Sequence, residues 1–367
     1  MSYGSVVPVP LNKRIRPDAA EFLQWWWCNL SVNRPFHFRC DGRFEGWYVH
    51  PDVEDEWPDE EQILFTLFDL AQHLDIDGNI VHIIPDIRPL PTLANLETLR
   101  IRNTSIVSGP LFLLRDEQKP VIWWSLTHLV FDTAFISSGM WFEIIRACVN
   151  LQFGYFDIRI RGTDDPRSAN APYFTHHHLC QLVIGWNDQF GCITSKYVLK
   201  NLLLPALIAF RISAQVTMKD LHCILESTPS LLELHLGRQV AEQNIWYHDE
   251  DERCPEPLSK YVPNMQHLVL QTPLYSYCKI SMKICVDIVF SSSWLQLGHP
   301  TNNIHSLVIQ AADEASRWEM DDWLAEHPIR GVKVAFAPMD KPLPWATSTS
   351  VEKNAGKYFD EPHFCTG

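Results

Sequence analysis

The residues best suited by type to hold a transition metal are three consecutive histidines, His176-His177-His178. Successive side chains of an extended chain point to opposite faces, so three in a row cannot converge on one ion from a regular strand. No metal site is expected there. The run from Asp52 to Glu61 carries seven carboxylates. It lacks the alternating ligands and central glycine of a calcium loop, and reads as a solvated acidic segment, as does His248 to Glu252. Cys148 closes an apolar helical stretch, where a thiol packs as a small core residue in preference to acting as a nucleophile. The sequence contains no GxSxG, P-loop, GxGxxG or HExxH pattern. The expectation is therefore a non-catalytic protein with no cofactor.

Charge narrows the partners further. The 44 acidic against 30 basic residues leave a net charge of -14. A field of that sign opposes phosphate backbones and anionic lipid, so neither nucleic acid nor membrane is an expected partner. No apolar run reaches the roughly 18 residues that a membrane-spanning helix needs. The ten cysteines are scattered without a CxxC pair and read as reduced thiols. A cytoplasmic or nuclear location follows from that reading.

The elements that position these residues announce themselves by repetition. The apolar spacing L-x-x-L-x-L recurs as Leu96-Leu99-Ile101, Leu126-Leu129-Phe131, Leu179-Leu182-Ile184, Leu231-Leu234-Leu236, Met265-Leu268-Leu270, Ile304-Leu307-Ile309 and Ile329-Val332-Val334. Weaker copies are Ala71-Leu74-Ile76, Leu151-Gly154-Phe156 and Leu207-Phe210-Ile212. The first residues follow one another at steps of 24 to 39 residues, with most steps between 24 and 30. That period belongs to leucine-rich repeats, in which each triple points inward from a short strand. The two longest steps contain Glu242 to Pro257 and Thr272 to Asn303, which read as insertions.

Between triples, Met140 to Cys148 and Met218 to Ser227 are amphipathic and end before the next strand, the second at Pro229. The unit is strand, loop, helix, turn, and such crossovers make neighbouring strands parallel. Trp141 and Trp323 fall in expected helices and pack between repeats, whereas Trp186 and Trp246 fall in expected loops. Residues 1–21, with their early prolines, read as a loose arm. Phe22 to Leu30 and Arg34 to Arg39 read as a capping helix and first strand. Residues 338–367 lose the period and read as a tail. The expected fold is α/β: a single curved leucine-rich-repeat solenoid over residues 22–337, with about ten strand-helix repeats and a parallel concave sheet.

Four stretches carry a family resemblance: Ser125 to Phe131, Phe142 to Leu151, Leu203 to Leu207 and Ile224 to Leu234. Through them the chain resembles the leucine-rich-repeat portion of fungal, mushroom-type F-box proteins, over roughly residues 20 to 337. The resemblance implies substrate recognition for a cullin-RING ubiquitin ligase. In that family an F-box precedes the repeats and docks on the ligase adaptor. The residues before Phe22 carry no F-box, so the adaptor is expected as a partner only if an F-box lies upstream. The rival expectations are a stand-alone repeat scaffold or inhibitor with no ligase link and, behind it, an uncharacterised enzyme, which would need a deep polar pocket.

The surface expected to bind follows from strand geometry. Residues between the inward positions face the concave side: Arg100, Val130, Tyr155, Val183, Arg211, His235, Val269 and Val308. The next outward positions include Arg102, Asp132, Asp157, Ser213, Gln271 and Gln310. Apolar and aromatic side chains among charges suit a protein partner. Arg100, Arg102, Tyr155, Asp157, Arg211 and His235 are the expected contacts; cover by a loop or tail is the competing reading of the valines.

Overall fold

The computed structural model describes residues 6–10, 37–41, 72–77, 95–102, 123–135, 138–159, 173–187, 199, 201–213, 218–237, 261–271, 304–311, 318, 321–322, 324–326 and 331–338. The chain divides into two compact units, Met1–Arg161 with Ser348–Gly367, and Gly162–Thr347. Each is a solenoid built on a parallel sheet. In the first unit the strands are β1 (Val6–Pro10), β2 (His37–Asp41), β3 (His73–Asp77), β4 (Thr98–Arg102), β5 (His128–Phe135) and β6 (Phe153–Arg159), paired in that order. In the second, β8 (Gln181–Asn187) is followed by β10 (Ala209–Ile212), β11 (Glu233–Leu236), β12 (His267–Gln271), β13 (Ser306–Ala311) and β14 (Lys333–Pro338). A separate parallel pair joins β7 (Phe174–Thr175) to β9 (Leu202–Leu203).

The strands coincide with the apolar triples because period-two alternation is a local property of extended chain. Leu99, Leu129 and Gly154 stand side by side in the first unit, as do Ile101, Phe131 and Phe156. In the second unit Leu182, Phe210, Leu234, Leu268 and Leu307 form one column, and Ile184, Ile212, Leu236, Leu270 and Ile309 the next. All of these leucines, isoleucines and phenylalanines are buried. In β14 the pairing sets Val334 beside Leu307 and Phe336 beside Ile309, two residues on from the expected triple Ile329-Val332-Val334, and Val334 is only half-buried, as befits a terminal turn of a stack.

One hydrogen-bond device recurs at the strand entries. Two consecutive backbone N–H groups converge on one carbonyl of the preceding turn. Thr127 and His128 donate to Glu97 O at 2.9 and 3.1 Å, and Gln152 and Phe153 to Thr127 O at 2.8 and 3.1 Å. The second unit repeats it with Ile208 and Ala209 on Cys180 O, Leu232 and Glu233 on Ile208 O, and Gln266 and His267 on Leu232 O. Asparagine side chains add to the stacking: Asn150 Nδ2 donates to Trp124 O at 2.7 Å and Asn264 Nδ2 to Pro229 O at 3.0 Å.

A further buried column lies three residues before six of the triples. It holds Trp123 and Cys148 in the first unit, and His176, Leu204, Thr228 and Val262 in the second. Of these only Cys148 stands out as a core residue in the sequence, because the column mixes apolar and polar types.

Two described connections contain complete helices, α1 (Ser138–Ala147) and α2 (Met218–Glu226). In α1, Trp141, Ile144 and Ile145 follow helical spacing and are buried, as is Cys148 just past its end, while Glu143 and Arg146 pair at 2.9 Å on the outer side. Its last carbonyl, Ala147 O, accepts from Trp123 N–H at 3.0 Å, which satisfies an acceptor the helix leaves open. In α2, Leu221, Ile224 and Leu225 are buried. The chain stops there as Ser227 and Thr228 hydroxyls donate to Ile224 O and Leu225 O, just before Pro229. Trp141 packs in α1 as expected. Trp323, Trp246, the acidic runs and the two insertions lie outside the described residues.

Three further local expectations shift. Within the segment read as a loose arm, Val6–Pro10 forms β1 on β2. Its β-branched valines favour extended chain, and prolines are tolerated on a strand at the edge of the sheet. The first expected strand, Arg34 to Arg39, lies a few residues later, at His37–Asp41. Trp186, read as a loop residue, lies in β8, because pairing runs on past the triple.

Candidate binding face

The residues between the inward columns form in-register rows on the opposite face of each sheet. In the first unit Asp75, Arg100, Val130 and Tyr155 are successive partners across β3 to β6. Arg102 and Asp132 pair one step further along β4 and β5, and Asp157 lies on β6.

Opposite charges interlock across these strands. Arg102 Nε donates to Asp75 Oδ1 at 3.0 Å, and its Nη2 donates to Asp75 Oδ2 at 3.2 Å. This two-pronged contact matches the planar guanidinium to the carboxylate. Asp75 is 2% exposed, and the Arg102 side chain 15%. Arg100 Nη2 reaches Asp132 Oδ2 at 3.4 Å in a looser pair with side-chain exposures of 16% and 31%. Tyr155 and Asp157 are half-buried. Both expected cationic contacts are thus held in place by carboxylates of neighbouring strands. Asp75 was not among the residues singled out from the sequence. Its signal was available, since it stands between Leu74 and Ile76 as Arg100 stands between Leu99 and Ile101.

In the second unit the corresponding row is Val183, Arg211, His235, Val269 and Val308. Arg211 and Val308 are half-buried, whereas Val183, His235 and Val269 are buried. Beside this row Gln271 Nε2 donates to Gln310 Oε1 at 3.0 Å, and both amides are buried. Val130 in the first unit is buried as well. Val130, Val183 and Val269 are therefore shielded from solvent, whereas Val308 is not fully so.

Burial holds the His235 pKa well below the ordinary imidazole value of 6.5, and the charge of Arg211 adds to the effect. Above about pH 6.5 the ring is neutral in folded and unfolded chains alike, so His235 contributes no pH dependence there. As pH falls below that value, the unfolded chain binds a proton that the folded chain refuses. Stability then declines by about 1.4 kcal/mol per pH unit until the folded pKa is reached. Urea unfolding at about pH 7.5 and about pH 5.5 should show this decline. The difference between the two pH values should shrink by about that amount in His235→Gln.

Other chemistry-bearing residues are placed as follows. Cys148 is fully buried, and burial pushes its thiol pKa up, away from the nucleophilic thiolate. His176 is buried, while His177 and His178 are exposed. Among the described residues no group of three His, Cys, Asp or Glu side chains is arranged to hold a metal ion. Among them, too, no helix is long and apolar enough to cross a membrane. No protein-family model matches the chain, and no curated protein matches it significantly.

Proposed function

We propose that this chain is a non-catalytic leucine-rich-repeat scaffold of about ten repeats that binds a protein partner through the rows opposite its core. In this reading it resembles the substrate-recognition part of an F-box ubiquitin-ligase subunit and acts in the cytoplasm or nucleus. The observation that carries this reading is the charged and aromatic lattice of Arg100, Arg102, Tyr155 and Asp132 on a rigid, register-locked sheet. Preorganised arginine and tyrosine on a stiff frame lose little side-chain freedom on binding, which favours them as interface anchors.

The test begins with the protein tagged at its own locus and purified with its companions. A cullin adaptor in the preparation would support the ligase role, and a partner without adaptor would support the stand-alone scaffold or inhibitor. The combined substitution Arg100→Ala, Tyr155→Ala and Arg211→Ala should then weaken capture of the recovered partner by about a hundredfold, with each anchor worth about 1 kcal/mol. Undiminished capture by a variant whose melting matches the parent would remove the face from consideration.

A further inference from the structure

The tripeptide His176-His177-His178, which the partner-binding reading does not use, is divided by the fold. His177 and His178 are exposed; the His176 ring is buried and meets Phe174 edge-on at 6.0 Å between centroids. The backbone N–H of Leu179 donates to His176 Nδ1 at 3.2 Å, and that of His178 to the same atom at 3.4 Å. An imidazole nitrogen accepts only through its lone pair, so Nδ1 carries no proton here and the ring is neutral, with its hydrogen on Nε2. His176 N–H in turn donates to Leu203 O at 2.8 Å, which anchors the residue to β9.

The chain between β7 and β8 is therefore tied at an acceptor that one proton would turn into a donor. Protonation would set N–H against N–H at the head of β8 and place a charge in a buried site. The titratable groups near it on its own segment are Tyr173, His177, His178 and Cys180, whose thiol donates to His178 O at 3.3 Å. The described residues of β8, β9 and the turn 204–208 carry no ionisable side chain.

We propose that His176 is a proton-operated latch. Neutral, it holds the turn between β7 and β8; protonated, it releases the amides of His178 and Leu179 and the entry into β8. This role is independent of any partner on the sheet face.

Hydrogen exchange of the full-length chain tests it, with rates corrected for the intrinsic pH dependence of amide chemistry. Protection of the His178 and Leu179 amides should fall about tenfold or more between about pH 7.5 and about pH 5. In His176→Asn the side-chain oxygen accepts the same two bonds without titrating, and protection should stay level across that range. Level protection in the parent, or an equal loss in the variant, overturns the proposal. Should the variant fail to fold, nitrogen-15 shifts of the parent ring decide. An imidazolium at His176 with both amides still protected overturns the latch, and a ring that charges only as protection is lost supports it.

Discussion

Replacing Asp75 with alanine is expected to destabilise the first unit by about 3–5 kcal/mol, the usual consequence of removing one partner of a buried ion pair. The two-pronged contact with Arg102, at 3.0 and 3.2 Å, would be lost. The guanidinium would remain in a site where its side chain is 15% exposed. The loss comes less from the attraction itself than from leaving a charge in a medium that solvates it poorly. Two controls separate those causes. Asp75→Asn retains shape and one acceptor and should cost less than alanine. Asp75→Leu combined with Arg102→Met removes both charges and should recover most of the stability. Added salt should barely change the parent, because a buried pair is poorly screened. Denaturant unfolding of the parent, these three variants and Asp75→Leu alone checks the series. If the double substitution were no better than Asp75→Leu alone, the stranded-charge account would fail.

Phe156→Ala is the other change of this size, at about 3–5 kcal/mol. Phe156 is fully buried and lies edge-on to Phe131 at 5.6 Å and 70°, and to Trp141 at 5.6 Å and 87°. One ring therefore joins the inward column of β5 and β6 to helix α1. Its removal leaves a cavity that two rigid neighbouring rings cannot easily fill, and forfeits two edge-to-face contacts. A unit of this length should melt lower by roughly 10 °C. Phe156→Leu, which retains much of the volume, should lose less than half as much. Thermal melting followed by tryptophan fluorescence reads both variants. An alanine variant that melts with the parent would show that the trio is not a keystone of this unit.

These expectations differ in how far they could be read without a structure. Leu99, Ile101, Leu129, Phe131 and Phe156 were legible as core because alternation about a strand is set by neighbours in the chain. The helices at Ser138–Ala147 and Met218–Glu226 were legible for the same reason, their apolar faces and stop signals lying within a dozen residues. The outward rows could be named as well, since they are the complement of the inward ones. What each member of a row does was not legible. Arg102 bonds to Asp75 on the preceding strand, 27 residues earlier, and Arg100 to Asp132 on the following strand, 32 residues later. Nothing in the local pattern tells an arginine which neighbour to choose.

The buried column three residues before six of the triples shows the same limit. Trp123 and Cys148 in the first unit, and His176, Leu204, Thr228 and Val262 in the second, share a position but not a chemistry. Only the stacking of successive turns reveals that they occupy equivalent places. Pairing of Phe174 with Leu202 in β7 and β9 was likewise invisible, because strands of two residues are too short to show a period.

By itself, then, the sequence determined where most of the strands lie, which of their side chains face inward and that the sheets are parallel, because these follow from local alternation and from the length of each connection. The tertiary structure alone decided which charges meet, that Val183 and His235 are shielded although they stand on the outward row, and that His176 spends its lone pair on the backbone. The first two depend on register between segments 24 or more residues apart and on what covers a face, neither of which is encoded in the spacing of any one segment, and the third is a short-range contact that only the folded turn sets.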